Sequence, residues 1–558
     1  MWYLQQLRQR QNLIISLLLG VMLLLLTACG SNGSAGNAIH TISSTPKLAA
    51  RQVLSFPNVG IADSGSLDPA QGSDPNTSII VTMVYSGLVT LDAQSNVIPD
   101  QATWDISTNN KVYTFNLKAG IFFSDGTPVT AQNYVYTLTR ALLPAVNSPI
   151  AAYYEGPIVG ANNVMSGKAK TLTGVKALNA QTLQITLTQP TPYFLYLLTN
   201  PIFFPINPQM IAAYGQTDWV NNVADEAIGT GPFMIKEWDH NVKMVLVPNP
   251  YYYGVKTKLT EVDMFFVNDP SIAFQSYRSG QYNFIWNIQP SDLLAVKGMA
   301  GYTKVTQFET DALFFNNAMP PFDNATIRQA FAYATDKVTL AHTVFQDTVL
   351  PAQTILPPGM PGYQADFPGI PYNPTIAKTL WQSVYPTNNN SGNTTTTVPT
   401  ITFSYPGSLV SQQEATSLQH MWESALGIQI NLQPIEQTAY DDLRAKKQIQ
   451  FGFVQWNANI PDPYDFLALN LLSTASNNNG GWSNAIFDQD VMQAEQTTGT
   501  ARLALYDQAE QVAIQDVGWL PLDHEQLIAV IPPYIHGIGI NGNGLYFGDW
   551  SGVYIAPH

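Results

Sequence analysis

An α/β protein built from two or three lobes is what the sequence predicts, on three observations. The chain has 558 residues, and single hydrophobic cores stop growing near ~300 residues. Runs with strand alternation are followed repeatedly by runs with helical apolar spacing. One stretch, residues 229–254, reads as a hairpin: a Gly229-Thr230-Gly231-Pro232 turn, alternation around 234–238 and 242–247, and an aromatic stop at Tyr251-Tyr252-Tyr253. Gly229 and Gly231 are expected to supply positive φ there, with Pro232 fixing the exit.

The remaining elements follow in chain order. Residues 53–62 alternate as a strand, Leu67-Asp68-Pro69 breaks it, and 77–88 has helical spacing ending at Tyr85-Ser86-Gly87-Leu88. Residues 104–117 alternate as one strand. Phe122-Phe123-Ser124-Asp125-Gly126-Thr127-Pro128 then leads to Thr130, which is placed to cap a helix over 131–142. Residues 175–187 read as a hairpin around Asn179-Ala180, and 192–198 as a short helix. Strand, helix and strand recur at 262–267, 272–279 and 282–286, and a strand at 313–317 precedes a capped entry and an amphipathic helix within 320–337. Residues 385–399, with three consecutive Asn and four consecutive Thr, lack an apolar pattern and are expected to form a surface loop. The strand 401–405, helix 412–426 and strand 428–434 repeat the unit; a helix over 500–515 leads to strands at 519–523 and 527–531.

Charge and composition restrict function. Charged residues make up only 11%, against a usual ~25%, and the net charge is −15. An acidic chain is a poor partner for nucleic acid. Before Cys29 the only charges are Arg8 and Arg10, and the apolar run 13–26 is shorter than the ~20 residues of a spanning helix, as suits a signal segment. The run ends Leu26-Thr27-Ala28-Cys29, which resembles a bacterial lipobox. Cys29, the single cysteine of the chain, would carry the lipid, and disulfides are excluded. The Ser-, Gly- and Asn-rich segment that follows reads as a tether.

Taken together, the Gly-Thr-Gly-Pro-Phe hairpin, Leu67-Asp68-Pro69, Tyr85-Ser86-Gly87-Leu88, Tyr277-Arg278-Ser279-Gly280, the run 320–337 and Ile355-Leu356-Pro357-Pro358-Gly359 resemble the extracytoplasmic peptide-binding proteins of ABC importers. Order and spacing agree over nearly the whole chain from Gln52 onward. The resemblance implies a periplasmic-binding-protein-like α/β fold of two lobes and three sub-domains joined by a hinge, its mixed sheets flanked by helices. Lobe I is expected over 52–90, 207–315 and 519–558, an accessory sub-domain over 91–206, and lobe II over 316–518, after a signal peptide (1–28) and a tether (29–51).

The same resemblance places the binding site. In peptide-binding relatives the tryptophan at the position of Trp456 lines the pocket, and an aspartate three residues later pairs with the ligand's α-ammonium. Here that position is Asn459, which adds no charge, and charge-assisted hydrogen bonds are about twice as strong as neutral ones. Of two upstream positions at which relatives meet the ligand carboxylate, Arg444 keeps the arginine and Phe453 replaces it with an apolar ring. Tyr464, Tyr153, Tyr154 and Trp482 complete the candidate set, as aromatic residues in loops and lobe-edge segments. Plain core packing is the competing role for Trp456 and Tyr464, and a solvated helix-end charge for Arg444.

Enzymatic signals are weak. The seven His are not at metal-ligand helical spacing, His524-Glu525 lacks a second His, and neither Gly-x-Ser-x-Gly nor a phosphate loop occurs. The carboxylate pairs Asp441/Asp442 and Asp462/Asp465 keep a hydrolase as a minor rival. The expected protein is a monomeric, lipid-anchored receptor without catalytic residues, metal or cofactor. It binds an oligopeptide or dipeptide, or alternatively an oligosaccharide or other uncharged solute, and delivers it to a permease.

Overall fold

The computed structural model describes residues 47–72, 75–216, 219, 229–386 and 397–558. Cys29, the segment expected to be a signal peptide and most of the Asn/Thr-rich loop lie outside these residues. Among the described residues no helix is long and apolar enough to cross a membrane.

Three sheets each organise a core. The first runs in the order Val53–Val59, Glu261–Val267, Lys243–Pro248, Phe233–Asp239, with the first pair parallel and the others antiparallel. Alternation buries Val262, Met264 and Phe266 on one face, against Ile80, Val81, Met83 and Val84 of the helix Pro75–Val84. The hairpin forms as the sequence predicts, but its glycines serve packing rather than turn conformation. Neither has positive φ. A Cβ on Gly229 would lie 2.0 Å from the carbonyl oxygen of Val84, and one on Gly231 would lie 2.4 Å from that of Met83. The backbone of the strand entry is pressed against the end of the helix, and only glycine leaves room.

The second sheet is fully antiparallel: Ala102–Ile106, Val112–Leu117, Thr182–Thr186, Val175–Asn179. The single strand expected over 104–117 is a hairpin, because Asn110 takes φ 54° and the chain reverses there. The helix Ala131–Ala141 covers this sheet. The Thr130 backbone N–H at its start donates to Asn133 Oδ1 at 2.8 Å.

The third sheet follows the path Ile285–Trp286, Trp519–Val530, Tyr302–Phe315, Phe451–Asn457, Ile401–Pro406, Ile430–Ile435, with Val349–Pro351 added to Trp519–Val530. Ile401–Pro406 pairs in parallel with both neighbours. The crossover is the helix Leu409–Leu426, capped by Ser408 and closed by Gly427 at φ 71°. Phe315, Phe322, Phe331, Phe403, Trp422 and Phe451 fill the core between this sheet and its helices.

Two long strands join the cores. Tyr302–Phe315 and Trp519–Val530 pair antiparallel. At one end Ile528 and Val530 pack with Phe274, Ile285 and Val296; at the other Leu313, Phe315, Leu520 and Leu522 lie in the aromatic core. Between Thr306, opposite Gln526, and Thr310, opposite His524, the register jumps. Three residues, Gln307 to Glu309, therefore face Glu525 alone, and such a bulge bends and twists the ladder where the two cores meet.

Candidate functional site

The strand Phe451–Asn457 delivers the candidate residues to two places, because neighbouring positions on a strand point to opposite faces. On one face Trp456 is half-buried and its indole N–H donates to Asp465 Oδ1 at 2.7 Å. Asn459, itself exposed, donates to the same oxygen from its backbone N–H and from Nδ2, both at 3.2 Å. The Tyr153 hydroxyl reaches Asp465 Oδ2 from the second sheet's domain at 2.8 Å. Asp465 is fully buried, and burial pushes its carboxyl up to about 6 although all these donors favour the charged form.

Neighbouring residues tighten this joint. Tyr464 stacks on Tyr193 with ring centroids 4.0 Å apart. Asp462 accepts both ends of the Arg502 guanidinium, at 2.7 and 2.8 Å, and both side chains are buried. Asp462 also accepts the Tyr464 N–H at 2.9 Å, as a turn former does. Tyr153 and Tyr464 line a cavity of about 420 Å³. Tyr154 is buried in the second core, edge-on to Tyr153 at 4.7 Å.

On the opposite face Phe453 and Arg444 line a larger cavity of about 760 Å³. Its walls come from both ends of the long strands: Asn287 to Pro290 and Gln526 to Ile528 on one side, and Pro406, Ser408, Glu414 and Tyr440 on the other. Arg444, on the helix Gln437–Ala445, pairs with Asp441 at 3.1 Å, while the Tyr440 hydroxyl donates to the Phe453 carbonyl at 2.7 Å and fixes the strand. Trp482 is at neither place. It is 1% exposed in the aromatic core, its N–H bonded to Asp516 Oδ2 at 2.8 Å, so its ring packs against Phe487 instead of facing a cavity.

The structure thus brings Arg444 and Phe453 together, and separately Trp456, Asn459, Tyr464 and Tyr153. Sequence reasoning missed Asp465 as the hub of the second group. Its donors from Trp456 and Asn459 are local, but Tyr153 lies 312 residues away in sequence. It also missed Glu309, Asp311, Glu414 and Glu525, which line the large cavity from three separate elements.

The comparisons with known proteins agree with this architecture. Residues 96–478, more than half the chain, match the family model described as bacterial extracellular solute-binding proteins, family 5 middle. The chain is 30% identical to a protein of Escherichia coli K12 named "Probable deoxycholate-binding periplasmic protein YgiS", over 92% of this chain and 96% of the other. It is 28% identical to the oligopeptide-binding protein OppA of Bacillus subtilis, over 96% and 98%. Among solved structures it superposes on the unliganded open form of the periplasmic murein tripeptide-binding protein MppA with a TM-score of 0.79 and 27% identity, covering 92% of this chain and 99% of that one. A second structure, of the Escherichia coli MppA, gives 0.70 at the same identity, over 92% and 100%. The two-lobed, three-sub-domain α/β fold is that of these solute-binding proteins, and the chain belongs to family 5 of the bacterial extracellular solute-binding proteins.

Proposed function

We propose that the chain is the receptor of an ABC importer that takes an oligopeptide or dipeptide between its two lobes and presents it to the permease. The cavity of about 760 Å³ carries the reading: it is walled from both ends of the bulged long strands, and it holds Arg444, a guanidinium able to meet a carboxylate. Ligand pockets run to about 300–1,000 Å³, so a short peptide is of the right size. The bulge at Gln307 to Glu309 is the hinge. The superposition on an unliganded open form supports an open state here, which the solute would close by binding both walls. In this reading lobe I comprises 52–90, 207–315 and 519–558, the accessory sub-domain 91–206, and lobe II 316–518. The monomer is held at the membrane by lipid on Cys29.

A non-peptide solute is the second reading, favoured by Asn459. Its amide stands where an ammonium-binding carboxylate is expected, and it is spent on Asp465. The relative named for deoxycholate supports the same direction. Hydrolysis has little support from the carboxylates. Asp462 is neutralised by Arg502, Asp441 pairs with Arg444, and Asp442 pairs with Lys446 at 2.6 Å.

The test is incubation with peptide and oligosaccharide libraries plus deoxycholate, followed by native mass spectrometry. Retention of an unchanged peptide is the expected result. Retention of a glycan or the steroid replaces the peptide reading with the second, and turnover replaces both with an enzyme.

A further inference from the structure

The large cavity has an unusual balance of charge for a pocket meant to hold neutral groups. Glu309 and Asp311 on Tyr302–Phe315, Glu525 on Trp519–Val530 and Glu414 on Leu409–Leu426 all line it, and Arg444, the cation on its wall, is engaged by Asp441. Glu414 is 7% exposed, and its Oε1 has no hydrogen-bond partner among the described residues. The same holds for Asp311 Oδ1 and, just behind the wall, for both oxygens of Asp523. The buried ammonium of Lys337 donates to the Ala352 carbonyl at 2.8 Å and acts on Asp523 through its charge alone.

Buried acceptors left without protein donors are costly, and a solute that brings N–H groups would satisfy them. A metal ion is a poor candidate: among the described residues no three carboxylates or imidazoles converge closely enough to hold one. An organic cation spreads several N–H donors over a wider span.

We propose that this cavity accepts the positively charged side chain of the solute, a primary amine or guanidinium, with Glu414 and Asp311 as its acceptors and Glu309 and Glu525 supplying further negative charge. The proposal rests on the peptide-receptor reading and adds the substrate class: peptides carrying a lysine- or arginine-like residue. Burial raises the carboxyls of Glu414 and Asp311 above the ordinary range, with the charge of Asp523 adding to it, and a cation placed beside them would favour their charged forms. Arg444, paired with Asp441 on the same wall, would have to share its guanidinium to meet the solute's carboxylate.

The test is calorimetric titration of the full chain with tri-alanine, its three single-lysine variants and their three norleucine counterparts, which match lysine in reach but carry no charge. At least one lysine tripeptide is expected to bind at least tenfold tighter than its norleucine partner. Glu414→Gln should reduce that ratio at least tenfold, and Asp311→Asn serves the same purpose if the first variant fails to fold. Equal or tighter binding of the norleucine peptides overturns the cationic pocket while leaving the peptide receptor standing. If none of the tripeptides binds, the receptor reading falls with it.

Discussion

The Tyr153 hydroxyl and the Asp465 carboxylate meet at 2.8 Å, tying the domain of the second sheet to the loop that follows Phe451–Asn457. Hydrogen bonds to a charged partner contribute about 1.5–3 kcal/mol. Tyr153→Phe keeps the ring beside Tyr154 and removes that donor alone. Urea unfolding of the variant should show a loss of this size, and an unchanged midpoint would mean that the joint is stabilised by ring packing instead.

Proton binding gives an independent check on the same carboxyl. Asp465 is raised from 3.8 to about 6 by burial, and Glu525 from 4.5 to about 7 by burial and then by Glu309. A carboxyl with a raised folded pKa contributes stability that is fully present below its unfolded pKa and is lost as pH rises through the folded value. The ligand-free protein should therefore lose stability between about pH 4 and pH 7, by up to roughly 3 kcal/mol from Asp465 alone at 1.36 kcal/mol per unit. Melting temperatures from pH 4.5 to pH 8 should fall across that window, and Asp465→Asn should flatten the fall. An identical slope in the variant would remove Asp465 as its source.

Asn459 sits 3.2 Å from the Asp465 oxygen to which it donates. Asn459→Asp replaces a donor with a second carboxylate and sets two like charges together, which raises the Asp465 pKa further. Solute binding should weaken about tenfold or more, and Trp456→Ala, which also strips a donor from Asp465, should weaken it as well. Calorimetry decides the point: tighter binding by the Asp variant would show that an incoming ammonium supplies the missing positive charge.

If lipid on Cys29 anchors the chain as proposed, membrane attachment depends on that residue. Without lipid the chain beyond residue 47 offers no spanning helix among its described residues. Cys29→Ser should move the protein from the membrane fraction to the soluble fraction, and retention on membranes would contradict lipid anchoring.

Much of the fold was legible because it is local. The 233–248 hairpin, the Thr130 entry to its helix and the Ile401–Pro406, Leu409–Leu426, Ile430–Ile435 unit each carry their own periodicity and caps. The turn at Asn109-Asn110 carried a signal too, but continuous alternation on both sides concealed it. Arg444 and Phe453 were singled out through the resemblance to peptide-binding relatives, and they share a cavity. What stayed hidden is set by strand pairing. Glu309 and Asp311 approach Glu525 only because a three-residue bulge lies opposite it, and Asp465 becomes a hub only when Tyr153 arrives from another sub-domain. Trp482 was misplaced because an aromatic residue beside glycines reads alike in a pocket rim and in a core.

The central claim is that solute binding closes two lobes about the bulged strands Tyr302–Phe315 and Trp519–Val530. Small-angle scattering of the protein titrated with the tightest-binding tripeptide measures this directly. The radius of gyration should decrease and level off at one peptide per chain, with Trp456→Ala requiring more peptide to reach the same plateau. A scattering profile unchanged at saturating peptide, with binding verified by calorimetry in the same sample, would contradict closure.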